Sequence, residues 1–271
     1  MTAMDIQSIR SLYLDLLKRA LTNWIHGHEE FVVVEPSWLA KIFLPPNLLT
    51  VKQQSFDPDK RLNGQDWPAP LFAHTMIGLK RLDNLQMCIE RVIEDDIPGD
   101  FIETGVWKGG STIFMRGALR AFGDETRNVW VADSFQGLPP PKIDKYPADA
   151  GDTHFTIEEL QVTEEQVRRN FSGYGLLDER VKFLKGWFSD TLPTAPIEKL
   201  SILRLDGDMY ESTMDALVNL YDKLSIGGYI IVDDYCIPSC AKAITDFRHN
   251  RGIMDDIIEI DGTGVYWRRN S

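Results

Sequence analysis

Four carboxylates fall at the ends of two apolar runs. Leu203-Arg204-Leu205-Asp206-Gly207-Asp208 closes one run, and Ile231-Val232-Asp233-Asp234-Tyr235 closes the next. On neighbouring parallel strands, Asp206, Asp208, Asp233 and Asp234 would meet at one sheet edge. Acids held that close raise one another's pKa values unless a cation answers them. Carboxylate oxygens suit magnesium, manganese or calcium better than zinc. No His-Cys set stands nearby to argue for zinc. Asp206, Asp233 and Asp234 are the candidate ligands. Asp208, two residues past Asp206, is the candidate general base, able to face the same pocket. The plainer alternative is that these acids cap helices or pair with Arg204, Lys242 or Arg248.

A glycine-rich turn sits earlier in the chain, at Glu103-Thr104-Gly105-Val106-Trp107-Lys108-Gly109-Gly110-Ser111. Glycine lets backbone approach a ligand and permits a tight strand-to-helix turn. A phosphate-cradling loop would end in GKS or GKT, and this one ends in GGS. A dinucleotide fingerprint needs GxGxxG, and Trp107 stands where its second glycine belongs. The pattern ExGxxxG fits. It is the usual first turn of methyltransferases that bind S-adenosylmethionine, and Glu103 suits a ligand bearing an ammonium and a sulfonium. Asp133 ends the following strand, VWVAD, where an acid takes two ribose hydroxyls. A nicotinamide cofactor would use such an acid too, so an NAD-dependent oxidoreductase stays open here. Ordinary turn and cap roles for both residues stay open as well. With a methyl donor beside the acids, the cation has a use: it lowers the cost of ionising an acceptor hydroxyl and orients it for in-line attack.

These residues need a scaffold. Apolar runs alternate with amphipathic segments from about Thr75 onward. DFIETG, NVWVADSF, RVKFLKG, LSILRLDGD and GGYIIVDDY read as strands, separated by helices such as GSTIFMRGALRAF and EEQVRRNFSGYG. Alternation of this kind predicts a parallel sheet with helices on both faces. IIEI and GVYWR, split by a tight DGT turn, predict an antiparallel hairpin at one edge. Before this region, Ile6–Trp24 predicts an amphipathic helix whose apolar face needs either the body or a second subunit. Prolines 36, 45, 46, 58, 68 and 70 interrupt residues 27–72, which read as irregular. The division expected is an N-terminal extension over 1–72 and one domain over 73–271. Within the latter, the polar, proline-rich stretch 136–163 reads as a lid, because so long a loop in a compact domain is usually functional.

Composition narrows the partners. The chain has 271 residues, 43% of them hydrophobic, enough for one large core. A net charge of -12 repels phosphate backbones and argues against nucleic acid. Cys88, Cys236 and Cys240 form no CxxC pair and point to a reducing compartment. No signal peptide and no apolar run of membrane-spanning length is evident, so the expected location is cytoplasmic.

Taken together, TMIGLKRLDNLQ, DFIETGVWKGGSTIFMR, VWVADSFQGLP, RVKFLKGWFSDTLP, LRLDGDMYEST, GGYIIVDDY and GVYWRR resemble the macrocin O-methyltransferase family over roughly residues 75–271. The resemblance implies a Rossmann-like class I methyltransferase fold: an α/β protein with a mostly parallel seven-stranded sheet and an antiparallel edge strand. It implies S-adenosylmethionine, a magnesium ion and a homodimer or larger homo-oligomer. It implies methylation of sugar hydroxyls on macrolide or aminocoumarin glycosides, with a catechol-type acceptor as the related alternative. Carried over, Glu103, Gly105, Val106, Ser111, Asp133, Ser134, Gln136 and Asp206 are donor contacts, joined by Thr75 and Met76, with Gly186 and Trp187 at the adenine end. Asp206, Asp233 and Asp234 carry over as metal ligands and Asp208 as base.

His154, in the lid, is a second candidate catalytic residue; a solvated loop histidine is the other reading. His26 and His28 with Glu29 and Glu30 suggest an exposed polar loop rather than a second metal site. Cys236 and Cys240 read as packing residues. Trp107, Trp130 and Trp267 read as core, and Trp187 as a stacking surface.

Overall fold

The fold comes from a computed structural model that describes residues 5–27, 30–43, 45, 48, 50–63 and 69–271. Helix α1 (Ile6–Leu21) starts at an Asp5 cap, whose side chain accepts from Ser8 N–H. The chain then forms β1 (Glu30–Val33), α2 (Trp38–Phe43), β2 (Val51–Gln54) and α3 (Pro58–Leu62). β1 and β2 pair antiparallel, so the extension holds a small sheet of its own where only irregular chain was expected. α4 (Leu79–Glu94) leads into the main sheet. From there strands and helices alternate: β3 (Asp100–Thr104), α5 (Gly110–Phe122), β4 (Val129–Asp133), α6 (Glu164–Gly173), β5 (Val181–Lys185), α7 (Phe188–Thr191), β6 (Leu200–Leu205), α8 (Tyr210–Leu220), β7 (Leu224–Val232), α9 (Pro238–Arg251), β8 (Ile258–Glu259) and β9 (Val265–Arg268).

The seven strands lie in the order β5-β4-β3-β6-β7-β9-β8. β5 to β7 are parallel. β9 runs antiparallel to β7 and to β8, which gives the expected edge hairpin. Successive side chains of a strand point to opposite faces, and the core divides accordingly. Phe101, Val129, Val131 and Ile231 pack against α1, α4, α5 and α6. Ile102, Leu203, Leu205 and Ile230 pack against α8 and α9. The apolar residues of α1 also divide: Leu14, Leu17 and Leu21 are buried on the body, while Ile9, Leu12 and Leu16 are exposed. The helix stops at Leu21, short of Trp24, because Asn23 turns left-handed.

After β5 the chain returns to the middle of the sheet as β6. The strand order therefore reverses between β3 and β6, and their carboxyl ends leave a crevice there. The glycine turn follows β3, and Asp206-Gly207-Asp208 follows β6, so both motifs face that crevice. The stretch 136–163 holds no strand or long helix, only three short 3-10 turns. Among the described residues, no helix is long and apolar enough to cross a membrane.

Candidate active site

A cavity of about 720 Å³ opens at the crevice. Of the expected donor contacts, Thr75, Met76, Glu103, Gly105, Val106, Ser111, Asp133, Ser134, Gly186, Trp187 and Asp206 line it, together with Asp208 and His154. Gln136 does not. Its side chain is exposed and its backbone N–H donates to Ser134 Oγ, because the chain turns there into the lid. The stretch 136–163, the expected lid, contributes Leu138, Pro139, Ile157 and Leu160 to the cavity lining. His28 and Glu29 lie outside the described residues; Glu30 pairs with Arg61.

The two turns at the crevice touch. Gly105 has φ +86°, and a Cβ there would sit 1.6 Å from the Asp206 carbonyl oxygen. Only glycine fits both the dihedral and the gap. Gly105→Ala is expected to cost on the order of 3 kcal/mol or more, since backbone must shift. Thermal melting and S-adenosylhomocysteine titration check this; a variant with wild-type values in both would refute it.

Asp133 has both proposed jobs within reach. Its two oxygens accept from Val106 N–H at 2.8 Å and Phe135 N–H at 2.7 Å, clamping the glycine turn to β4. A carboxylate has about four lone-pair sites, so two remain for ribose hydroxyls. Gly186 N–H donates to the Asp133 carbonyl at 2.9 Å, which sets these two lining residues side by side. Lys108 Nζ donates to the carbonyls of Leu71 and Ala73, tying the segment before Thr75 to the turn. Trp107 is not a core residue. It is half-buried at φ +46°, and its indole N–H donates to the Glu159 carbonyl of the lid at 2.8 Å.

The acids have buried arginine partners. Arg204 on β6 is the cross-strand neighbour of Glu103 on β3. Its guanidinium bonds Glu103 at 2.5 Å, Asp206 at 2.7 Å and Asp233. Arg81 on α4 bonds Asp233 at 2.5 Å and Asp261 at 2.8 Å. The alternative partner Arg204 is thus real, while Lys242 pairs with Asp246 and Arg248 with the Asp255 carbonyl. Two guanidiniums do not balance this many carboxylates. Burial pushes Glu103 up to about 8 against the pull of Arg204. Burial and the charge of Asp233 raise Asp206 to about 6. Burial and the charge of Asp206 raise Asp208 to about 7. Asp234 is fully buried and held well above the usual carboxylate range.

Oxygens of Asp206, Asp233 and Asp234 lie within 4.8 Å of one another, close enough to share one cation. Asp233 and Asp234 sit behind the cavity wall, 1% and 0% exposed, and Asp206 fronts it. Asp208 stands at φ +56°; its N–H donates to Asp234, and its carbonyl accepts from Ser239 Oγ. An all-oxygen set with excess negative charge fits a hard divalent ion. Cys236 is exposed and Cys240 buried beside Thr213, so they form no redox pair.

Reasoning from sequence did not single out Lys142, Asp149, Asp152 or Glu211. Lys142 in the lid pairs with Glu211 at 2.7 Å, and both line the cavity. Asp149, also in the lid, is buried and caps α8, accepting from Tyr210 and Glu211 N–H at 2.6 and 3.1 Å. A lone loop acid carries no signal for such contacts.

A parallel sheet reversing at β3/β6, an ExGxxxG turn and a ribose-type acid on the next strand define a class I S-adenosylmethionine-dependent methyltransferase. The model of the macrocin-O-methyltransferase (TylF) family matches residues 10–269, and the chain belongs to that family. The 8-demethyl-8-(2,3-dimethoxy-alpha-L-rhamnosyl)-tetracenomycin-C 4'-O-methyltransferase of Streptomyces olivaceus is 51% identical over 269 residues, 98% of this chain and 95% of that one. The mycinamicin III 3''-O-methyltransferase of Micromonospora griseorubida is 49% identical over 263 residues, 96% and 97% of the two chains. The solved structure of the O-methyltransferase NovP is 48% identical with a TM-score of 0.84, covering 97% of this chain and 100% of that one. The enzyme is an O-methyltransferase, which removes the nicotinamide alternative.

Proposed function

We propose that this enzyme methylates a sugar hydroxyl of a glycosylated natural product of the macrolide or aminocoumarin type, with a divalent cation held by Asp206, Asp233 and Asp234. One observation carries the reading: Asp208 and Asp206 share a single cavity with the expected donor residues, and Asp206 stands within 4.8 Å of oxygens of Asp233 and Asp234 behind it. The names of the relatives support the acceptor class, since they carry rhamnosyl tetracenomycin and mycinamicin acceptors. Mg²⁺ is the cation favoured by the ligand set, and it supplies Lewis acidity that makes a hydroxyl easier to ionise. The donor supplies an electrophilic methyl on sulfonium.

The residues then divide the work. Asp133 and Glu103 fix the donor's ribose and amino-acid ends, and Gly105 lets them approach. Thr75, Met76 and Ser111 close the same wall, and Trp187 offers a face to the adenine. Asp208 takes the acceptor's proton as the acceptor oxygen gains the methyl, a role its place in the cavity two residues past Asp206 allows. The lid excludes water from the cavity. A homo-oligomer in the cytoplasm completes the reading. The exposed apolar residues Ile9, Leu12 and Leu16 of α1 and three free thiols support it.

The test is an acceptor panel: α-L-rhamnosides and simple catechols, each with S-adenosylmethionine and Mg²⁺, followed by mass spectrometry. A mass gain of one methyl on the sugar is expected. Methylation of catechols alone would replace the sugar reading with the catechol one.

A further inference from the structure

Two consecutive side chains of the glycine turn reach two separate segments of the chain. The Trp107 indole N–H donates to the Glu159 carbonyl in the lid at 2.8 Å. The Lys108 ammonium donates to the carbonyls of Leu71 and Ala73 at 3.0 and 3.2 Å. Those carbonyls belong to a strap, residues 71–77, that leads from the extension into α4. The strap lies on the first turn of α5: a Cβ on Gly110 would sit 2.5 Å from the His74 carbonyl oxygen. Strap and lid border the same cavity. Thr75, Met76 and Ile77 line it from the strap, Ile157 and Leu160 from the lid, and Trp107 from the turn itself.

The two contacts depend on each other. Lys108 Nζ lies 4.3 Å from the centre of the Trp107 ring, within range of a cation–π attraction. Trp107 stands at φ +46°, a conformation that costs a bulky residue energy and persists only where its surroundings hold it. The ammonium on its face and the Glu159 carbonyl at its N–H hold the side chain there. An ammonium is a costly brace for two carbonyls alone. Among the described residues no carboxylate pairs with Lys108, and burial lowers it to about 8. The turn itself is fixed from α6, because the Lys108 carbonyl accepts from Asn170 Nδ2 at 2.9 Å.

We propose that Trp107 and Lys108 are positioning residues that hang both covers of the methyl donor on the turn beneath it, so that strap and lid open together. Loss of the ammonium frees the strap and also lets Trp107 leave its held conformation, which takes the indole N–H from the lid. Donor exchange then becomes one concerted opening rather than two separate ones. This rests on the donor placement in the reading above.

Hydrogen exchange on the donor-free protein tests the joint. The strap is read at the amides of Ala73 and His74, which donate to the Pro70 and Leu21 carbonyls. The lid is read at those of Leu160 and Gln161, which donate to the Ile157 and Glu158 carbonyls. Lys108→Met keeps an unbranched side chain and removes the charge. It is expected to speed exchange roughly three- to tenfold at both pairs, the range of one lost contact of this kind, although Lys108 bonds no lid residue. Lys108→Arg, which keeps the charge, should restore much of the protection. Trp107→Phe keeps a ring face for the ammonium and removes the N–H, so the lid pair alone should speed up. S-Adenosylhomocysteine should leave Lys108→Met and Trp107→Phe faster than wild type in stopped-flow displacement. Loosening confined to the strap in Lys108→Met, wild-type lid exchange in Trp107→Phe, or no rescue by Lys108→Arg would overturn the joint. If Lys108→Met does not fold, the Trp107→Phe pattern decides. Wild-type release rates in both variants would overturn the role in donor exchange. If the wild-type protein binds no S-adenosylhomocysteine, the donor placement fails and that role falls with it; the exchange pattern reports on the joint separately.

Discussion

Asp208→Asn is expected to lower kcat by roughly a hundred- to ten-thousand-fold, the usual contribution of a positioned base. That corresponds to about 3–5 kcal/mol of transition-state stabilisation. Asparagine keeps the size and the left-handed tolerance needed at φ +56°, so the turn should survive. Its amide cannot take a proton. Asp208 is not among the expected donor contacts, so affinity for S-adenosylhomocysteine should stay within about threefold of wild type. Titration calorimetry and steady-state kinetics on the same preparation separate the two effects. An unchanged kcat would remove Asp208 as the base. A large loss of donor affinity would recast it as a structural residue of the turn.

Exhaustive chelation is expected to remove nearly all turnover, on the order of a hundredfold or more, because the hydroxyl loses its Lewis acid. Donor binding should largely survive, since the Asp133 carboxylate at the end of β4 accepts from Val106 and Phe135 N–H and holds the glycine turn independent of any cation. Adding Mg²⁺ or Mn²⁺ should restore the rate better than Zn²⁺, given an all-carboxylate set. Asp234→Asn should shift the Mg²⁺ requirement to higher concentration. Full activity in saturating EDTA would end the cation role assigned to Asp206, Asp233 and Asp234.

The sheet was legible because its strands are short, apolar and stopped by glycine or acid at their carboxyl ends, as in DFIETG and LRLDGD. Those same stops line the cavity, so the fold and the candidate site share one pattern. The β1–β2 ladder was not legible. Its strands are four residues each and pair across an intervening helix and prolines, so the signal is non-local. Arg204 could be named as a partner for the acids, but its role depends on register. Only the pairing of β3 with β6 places it beside Glu103. The lid's length announced a cover, yet Asp149 and Asp152 look alike in PADAGDTH; one caps α8 and the other grips His154. Gln136 differs in the opposite way. A motif match put it at the donor, while its side chain is exposed and does not line the cavity.

Arg81 and Arg204 have a consequence for how the protein is made. A pocket that held only acids would resist closing until its ligands arrived, and the newly synthesised chain would depend on them to fold. Here two guanidiniums, one from α4 and one from β6, link Glu103, Asp206, Asp233 and Asp261 from within the chain itself. The chain thus supplies its own counter-charge for these four acids, so this part of the pocket can close during folding before any donor or cation is bound.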